Sequence, residues 1–403
     1  MHTVRLRICQ GEARYWPALK ELKRQRVTAE SSPAIALVTD KKANRKLNAR
    51  DVIVIGSSAG GLQPLKELIR GLPADLEAAV FVVRHIGTAA DNGLPHLLEQ
   101  AGQLKATQAS DCEQFEHGHI YVAPPDRHLL LDAGRIVLSN GPKENRTRPA
   151  IDPLFRSAAV AFRSRVVGVV LSGALDDGTA GLWSVKQHGG VTVVQDPNEA
   201  SSPSMPRNAL KYVEIDHCRP AAEIGSLLAQ LARDPVADNG PADDEAVQIE
   251  NRIAMGDTQA LHNLDRIGKL THFACPECHG TLWEMGHHPL LRFRCRSGHA
   301  NSGANLINEQ SEITENLLLL ALRETEENPT LCRYLGEYAR EHDDRRAADF
   351  FLSQTAEHER KAHLIHQALA NNHKLPVING PSEWPELSKL NELDAEGDLE
   401  PLL

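Results

Sequence analysis

No apolar run in this chain is long enough to span a bilayer, which speaks against an integral membrane protein. Its first residues, MHTVRLRICQGEARYW, alternate charged and apolar side chains where an export signal would carry an apolar core. Cysteine is sparse: seven in 403 residues, far apart except for one CxxC. That spacing excludes a disulfide framework and, with the missing signal, predicts a reducing, cytoplasmic setting. Net positive charge is lacking too. At −10 the chain is unsuited to general nucleic-acid binding, although a local basic patch remains compatible with that balance. A hydrophobic fraction of 41% fits a soluble globular protein, long enough for one large domain and one or two smaller ones.

The charge is distributed unevenly. Residues 1–50 hold twelve Lys/Arg against four Asp/Glu and show little apolar periodicity, as in a disordered basic extension. From Asp51 short β-branched runs begin: VIVI (52–55), AVFVV (79–83), RVVGVVLSG (165–173) and VTVVQ (191–195). They read as strands buried on both faces, and the segments between them carry helical spacing, as in Leu62, Leu65, Leu68 and Ile69. Strands alternating with helices predict an α/β fold, a doubly wound, mostly parallel three-layer sheet over residues 51–232. The irregular stretch HGHIYVAPPDRHLLLDAGRIVLSNGP is expected to form strands and hairpins capping one edge of that sheet. Residues 233–270 open with the Pro-, Gly- and Asp-rich RDPVADNGPADDE and read as an acidic flexible linker. A compact cysteine-containing module is expected at 271–301. Two or three antiparallel helices are expected over 302–372, and a disordered tail over 373–403.

The turn at DVIVIGSSAGGLQPL carries Ser57 and Ser58 between a strand and a helix, and three chemistries compete for it. A dinucleotide site needs GxGxxG and an acidic end to the second strand. Here the middle glycine is replaced by Ser58, and the second strand ends in Arg84-His85. A serine could instead cap the helix, which leaves the histidine unexplained. The third reading makes Ser58 a nucleophile. A strand-to-helix turn projects it from the C-terminal edge of the sheet, and the helix N-terminus favours negative charge there. A serine hydroxyl needs a base, and His85, ending the next predicted strand, falls on the same edge. The base in turn needs a carboxylate, and Asp176 and Asp177 both follow the strand VVGVVLSG. Spacing alone does not choose between them.

These residues lie among six landmarks in order: IGSSAGG, VVRHI, IYVAPPDRHLLL, NRTRPAIDPLFRSAA, VVLSGALDDGTAGL and MPRNAL. Together they resemble the chemotaxis protein-glutamate methylesterases, which hydrolyse methyl esters on glutamates of chemoreceptors and in many cases deamidate glutamine. The resemblance implies Ser58 as nucleophile, His85 as base and Asp177 as its carboxylate. It also implies an oxyanion hole of backbone N–H groups at Ala59 and Ala174, where the family often has threonine and methionine; a peptide N–H tolerates both changes. No organic cofactor or metal is implied for catalysis, and a methylated chemoreceptor or related receptor is the implied substrate. A receiver domain, usual ahead of the family's catalytic domain, does not fit in 50 basic residues, so phosphorylation of an attached receiver is not expected to control this chain.

The module FACPECHGTLWEMGHHPLLRFRCRSGHA holds Cys275 and Cys278, then sixteen residues between Cys278 and Cys295, with His299 four positions on. That spacing predicts a zinc ribbon with a closed, structural Cys3His site. A redox CxxC is the competing reading, and His287 or His288 could replace His299. With few aromatics to build a core, so short a module would depend on metal to fold. Standalone methylesterase-like proteins often carry a similar segment. Arg292, Arg294 and Arg296 alternate, as on a solvated strand face or, less simply, a nucleic-acid surface. His358, His363 and His366 read as surface residues of a charged helix. The expectation is thus a cytoplasmic glutamate methylesterase, with the ribbon and helices available to a signalling partner and no nucleic acid bound. A catalytically inert signalling scaffold and a nucleotide-binding Rossmann module are the alternatives.

Overall fold

The computed structural model describes residues 49–85, 93–236, 244–286 and 288–371. Nearly all of the expected basic extension, the tail from residue 373 and His287 lie outside the described residues. The first unit contains β1 (Val52–Ser57), α1 (Leu62–Arg70), β2 (Ala79–Arg84), α2 (Leu94–Ala101), β3 (Lys105–Gln108), β4 (His119–Val122), β5 (His128–Asp132) and β6 (Arg135–Ser139). It continues through α3 (Ile151–Phe162), β7 (Val166–Val170), α4 (Thr179–Gln187), β8 (Val191–Gln195), α5 (Ser204–Tyr212), β9 (His217–Arg219) and α6 (Ala221–Leu231). Seven strands form one parallel sheet in the order β3-β4-β2-β1-β7-β8-β9.

β1 shows why its sequence begins with four apolar residues in a row. Val52 and Val54 join the core on one face, with Phe81, Leu154 and Phe155, while Ile53 and Ile55 face Leu65, Leu68 and Ile224 on the other. A strand with helices on both faces has no solvent side to populate. Burying each such side chain contributes about 1.5–3 kcal/mol. The order of the strands reverses on either side of β1, so the crevice at its C-terminal end is the switch point where doubly wound folds build sites. Part of the middle segment departs from expectation. β4 is an interior strand between β3 and β2, and only β5 and β6 form a separate hairpin.

The second unit comprises α7 (Glu245–Ala254), α8 (Leu264–Ile267), β10 (Gly268–Ala274), β11 (Thr281–Met285), β12 (Arg292–Cys295) and β13 (Ala300–Ser302), then α9 (Gly303–Glu341) and α10 (Arg345–Asn371). The reading of 233–270 as a flexible linker is corrected here, since residues 244–267 are largely helical. Asp244 caps α7 by accepting from the Ala246 and Val247 amides. Ile249 and Ile253 then bury against Leu264, Trp283 and Met285. The four strands β10-β11-β12-β13 form an antiparallel sheet. Two helices, α9 and α10, make the C-terminal hairpin. Its seam is built from small residues, with Gly336 against Leu352 and both Ala339 and Ala348 buried, while Leu317 and Leu320 stay exposed.

Candidate active site and metal centre

Register alone brings Ser58 beside His85. Ser57 pairs with Arg84 across the parallel β1 and β2, so the next residue of each strand lies on the same edge. The His85 amide donates to the Ser57 carbonyl at 3.1 Å, and the Ser58 amide donates to the Ser172 carbonyl at 3.0 Å, which ties the turn to the end of β7. Helix α1 begins at Leu62 with Gly61 in the cap position and no side-chain cap, so neither serine caps it. The Ser58 Oγ lies 3.0 Å from His85 Nδ1. His85 Nε2 lies 2.8 Å from Asp177 Oδ2. With Nε2–H donating to the carboxylate, Nδ1 carries the lone pair that accepts the serine proton.

Of the two adjacent acids only Asp177 meets His85. It sits at the N-terminus of α3, where the Ile151 amide donates to Oδ2 at 2.7 Å and the Asp152 amide to Oδ1 at 3.2 Å. The Gly178 amide adds a bond at 2.9 Å. Burial works against charge on Asp177, but the His85 hydrogen bond and charge and these N–H donors hold its carboxyl below the usual range. The positive end of α3 acts in the same sense. Asp176 turns away and accepts from Asn305 Nδ2 at 2.7 Å. Burial raises its carboxyl to about 6, against the Ser302 hydroxyl's hydrogen bond and with help from the Asp177 charge. Asp152, also buried, is pushed up to about 8 by burial and then by Asp177.

Ala59 and Ala174 lie exposed at the mouth of this crevice. Among the described residues their amides donate to no backbone acceptor, which leaves both N–H groups available to an incoming oxygen. Gly173 permits the close approach behind them: a Cβ there would meet Met205 Sδ at 1.9 Å and Ser58 Cβ at 2.9 Å. Two further residues reach the site without having been singled out. Asn145 Nδ2 donates to Asp177 Oδ1 at 2.9 Å and to Asp152 Oδ2 at 2.8 Å. Thr147 Oγ1 lies 3.3 Å from His85 Nε2. Both fall in the landmark NRTRPAIDPLFRSAA, whose residue types gave no sign that an amide and a hydroxyl there would reach the site.

The cysteine module gathers its four residues as well. The ligand atoms of Cys275, Cys278, Cys295 and His299 all lie within 4.8 Å of one another. Cys278 Sγ is 3.5 Å from Cys295 Sγ, and His299 Nδ1 is 3.6 Å from Cys295 Sγ and 3.8 Å from Cys275 Sγ. Zn–S bonds of about 2.3 Å in a tetrahedron imply ligand separations of roughly 3.8 Å, so three thiols and an imidazole fit such an ion. His288 is elsewhere, packed on the Trp183 ring with centroids 4.3 Å apart and with Nε2 3.7 Å from Glu250 Oε2.

The arginines of β12 require a correction. Arg292 and Arg294, read as a solvated face, are 1% and 0% exposed. Alternation along the strand points both at two buried carboxylates. Glu250 of α7 accepts from Arg292 Nη1 at 2.9 Å and Arg294 Nη2 at 2.8 Å, and Glu144 accepts from Arg294 Nη2 at 3.0 Å. Arg156 of α3 completes the cluster on Glu144 at 2.7 Å and 3.1 Å. Buried in ion pairs, these two side chains offer no surface to nucleic acid.

With this geometry in hand, comparison with known proteins is informative. Residues 53–228 match the CheB methylesterase family model. A putative protein-glutamate methylesterase/protein-glutamine glutaminase of Leptospira interrogans is 36% identical over 182 residues, which cover 45% of this chain and 94% of that protein. The protein-glutamate methylesterase/protein-glutamine glutaminase of Thermotoga maritima is 33% identical over 184 residues, 45% of this chain and 54% of that one. The crystal structure of the Thermotoga maritima CheB methylesterase catalytic domain is 32% identical, covering 45% of this chain and 98% of that chain with a TM-score of 0.43.

Proposed function

Because the chain belongs to the CheB methylesterase family, we propose that it hydrolyses glutamate methyl esters, and by the same attack glutamine amides, on chemoreceptor-type proteins. The observation that carries this reading is the continuous chain of contacts Ser58 Oγ–His85 Nδ1–His85 Nε2–Asp177 Oδ2. Ser58 attacks the side-chain carbonyl while His85 takes its proton. The oxygen that becomes negative is met by the amides of Ala59 and Ala174. His85 then returns the proton to the leaving group, releasing methanol from an ester or ammonia from an amide. Water repeats the sequence on the acyl-enzyme and frees the glutamate carboxyl. Asp177 keeps His85 in the tautomer with a proton on Nε2 and stabilises the imidazolium that forms. No metal or organic group is needed for any of these steps.

The reading includes a cytoplasmic setting in which the receptor, rather than the enzyme, is embedded in the membrane. Among the described residues no helix is long and apolar enough to cross one. It also includes a structural zinc ion on Cys275, Cys278, Cys295 and His299, favoured by a ligand set with no open coordination position. The C-terminal module is the surface assigned to a signalling partner.

The test is labelling of the purified chain with a fluorophosphonate, together with methanol release from methylated receptor. Modification is expected on Ser58, and Ser58→Ala should lose both labelling and turnover, the latter by about three or more orders of magnitude. Turnover surviving in that variant would reject the assignment.

A further inference from the structure

Residues 143–146 of the loop between β6 and α3 are held by the C-terminal module. Its backbone runs beside β13: the Asn145 amide donates to the Ala300 carbonyl at 2.7 Å, and the Ala300 amide donates to the Lys143 carbonyl at 3.2 Å. Glu144 is fully buried between Arg156 on one side and Arg292 and Arg294 on the other. Asn145 and Arg146 both adopt left-handed backbone, at φ 48° and 68°, which for non-glycine residues needs surrounding contacts to hold it. Gly298, at φ +93°, lets the metal-site turn pack against Pro142; a Cβ there would lie 2.5 Å from Pro142 Cγ.

The amide of Asn145 joins the two units chemically. Its Nδ2 faces the carboxylates of Asp177 and Asp152. Its Oδ1 faces two donors from the start of α9, the Ser302 amide at 3.3 Å and Asn305 Nδ2 at 3.4 Å. Only one orientation satisfies that arrangement. A flipped amide would turn its oxygen on the ionised Asp177 carboxylate and its N–H2 on two donors. Without the α9 contacts, nothing among the described residues holds the amide in that orientation on its Oδ1 side. Asp177 would then lose a fixed donor on Oδ1 while Oδ2 must remain aimed at His85.

We propose that the Cys3His module is a positioning element of the esterase site, acting from Ser302 and Asn305 through Asn145 on Asp177. This inference rests on the Ser58–His85–Asp177 reading and adds Asn145 and Asn305 as positioning residues. The family match ends at residue 228, so the contacts from residues 300–305 are supplied by a part of the chain outside it.

The test uses the full chain with p-nitrophenyl acetate as substrate, and active sites titrated by a fluorophosphonate. Asn145→Ala and Asn305→Ala should each lower kcat per active site by about tenfold, with KM changed less than about twofold. The double variant should lose no more than Asn145→Ala alone if Asn305 acts through Asn145 rather than through its 2.7 Å bond to Asp176. A role confined to folding would reduce the number of titratable sites and leave kcat per site at its wild-type value, which overturns the proposal. Losses that multiply in the double variant also overturn it. If Asn145→Ala does not fold, Asn145→Ser replaces it in the same cycle; a wild-type kcat per site in Asn305→Ala is by itself sufficient to refute. Failure of the wild-type chain to react with the fluorophosphonate would instead remove the serine-nucleophile reading on which the proposal rests.

Discussion

Replacing Glu144 by glutamine removes one charge from the cluster that joins the two units while keeping its volume and one acceptor oxygen. Burial opposes ionisation of Glu144, but the guanidiniums of Arg156, Arg294 and Arg292 overcome it and draw the carboxyl from its ordinary 4.5 down to about 2. At about 1.4 kcal/mol per unit, that fall corresponds to roughly 3 kcal/mol of stability. It also agrees with the cost of about 3–5 kcal/mol for removing one partner of a buried ion pair. Folded Glu144 holds its proton less tightly than unfolded Glu144. Its contribution is therefore complete above about pH 4.5 and drains away as the pH falls toward 2. In Glu144→Gln, Arg292 and Arg294 keep Glu250, while Arg156 loses the carboxylate it pairs with. Urea unfolding of the full chain at neutral pH, followed by circular dichroism and tryptophan fluorescence, should show a loss of about 3 kcal/mol. The gap to wild type should narrow to about half near pH 3, where wild-type Glu144 has lost much of its advantage. A variant within about 1 kcal/mol of wild type at neutral pH, or a gap that does not narrow in acid, would refute this account of the cluster.

Two further outcomes are expected. Gly173→Ala should destabilise the chain by about 1–3 kcal/mol through overpacking against Met205, and should slow fluorophosphonate labelling of Ser58 by about tenfold or more, because the new methyl presses on its Cβ. Labelling at the wild-type rate would refute the tight packing of Gly173 behind Ser58. Elemental analysis of the purified chain should find one zinc per molecule, less in Cys295→Ser. Chelation should lower the thermal midpoint, because metal binding and folding of so small a module are coupled. A metal-free chain of unchanged midpoint would contradict the structural role given to these ligands.

The parallel sheet was legible because both-face burial leaves a plain trace: β1, β2, β7 and β8 are mostly Val with Ile, Phe and Ala, and their polar residues are few, Ser57, Arg84, Thr192 and Gln195. The position of Ser58 on the C-terminal edge of the sheet was legible because a glycine-rich strand-to-helix junction projects its residues there. Helix α7 was missed although its marks are present, a capping Asp244 followed by apolar residues at 247, 249 and 253; the Pro-, Gly- and Asp-rich residues ahead of it dominated the reading. β12 was misread for a different reason. Alternating arginines look the same on paper whether they meet water or Glu144 and Glu250, because a partner 148 residues away leaves no local periodicity.

Composition, strand and helix periodicity and motif spacing were enough to specify an α/β sheet with Ser58, His85 and an aspartate on one edge, and a four-ligand cysteine module. All of these follow from contacts within an element or between strands whose register the chain itself dictates. Which aspartate meets His85, what orients it, and the docking of the cysteine module on the loop that carries Asn145 were decided only in three dimensions. Those choices depend on which N–H groups and charges converge in a buried, low-dielectric space, and convergence of residues more than a hundred positions apart is a property of the packed chain.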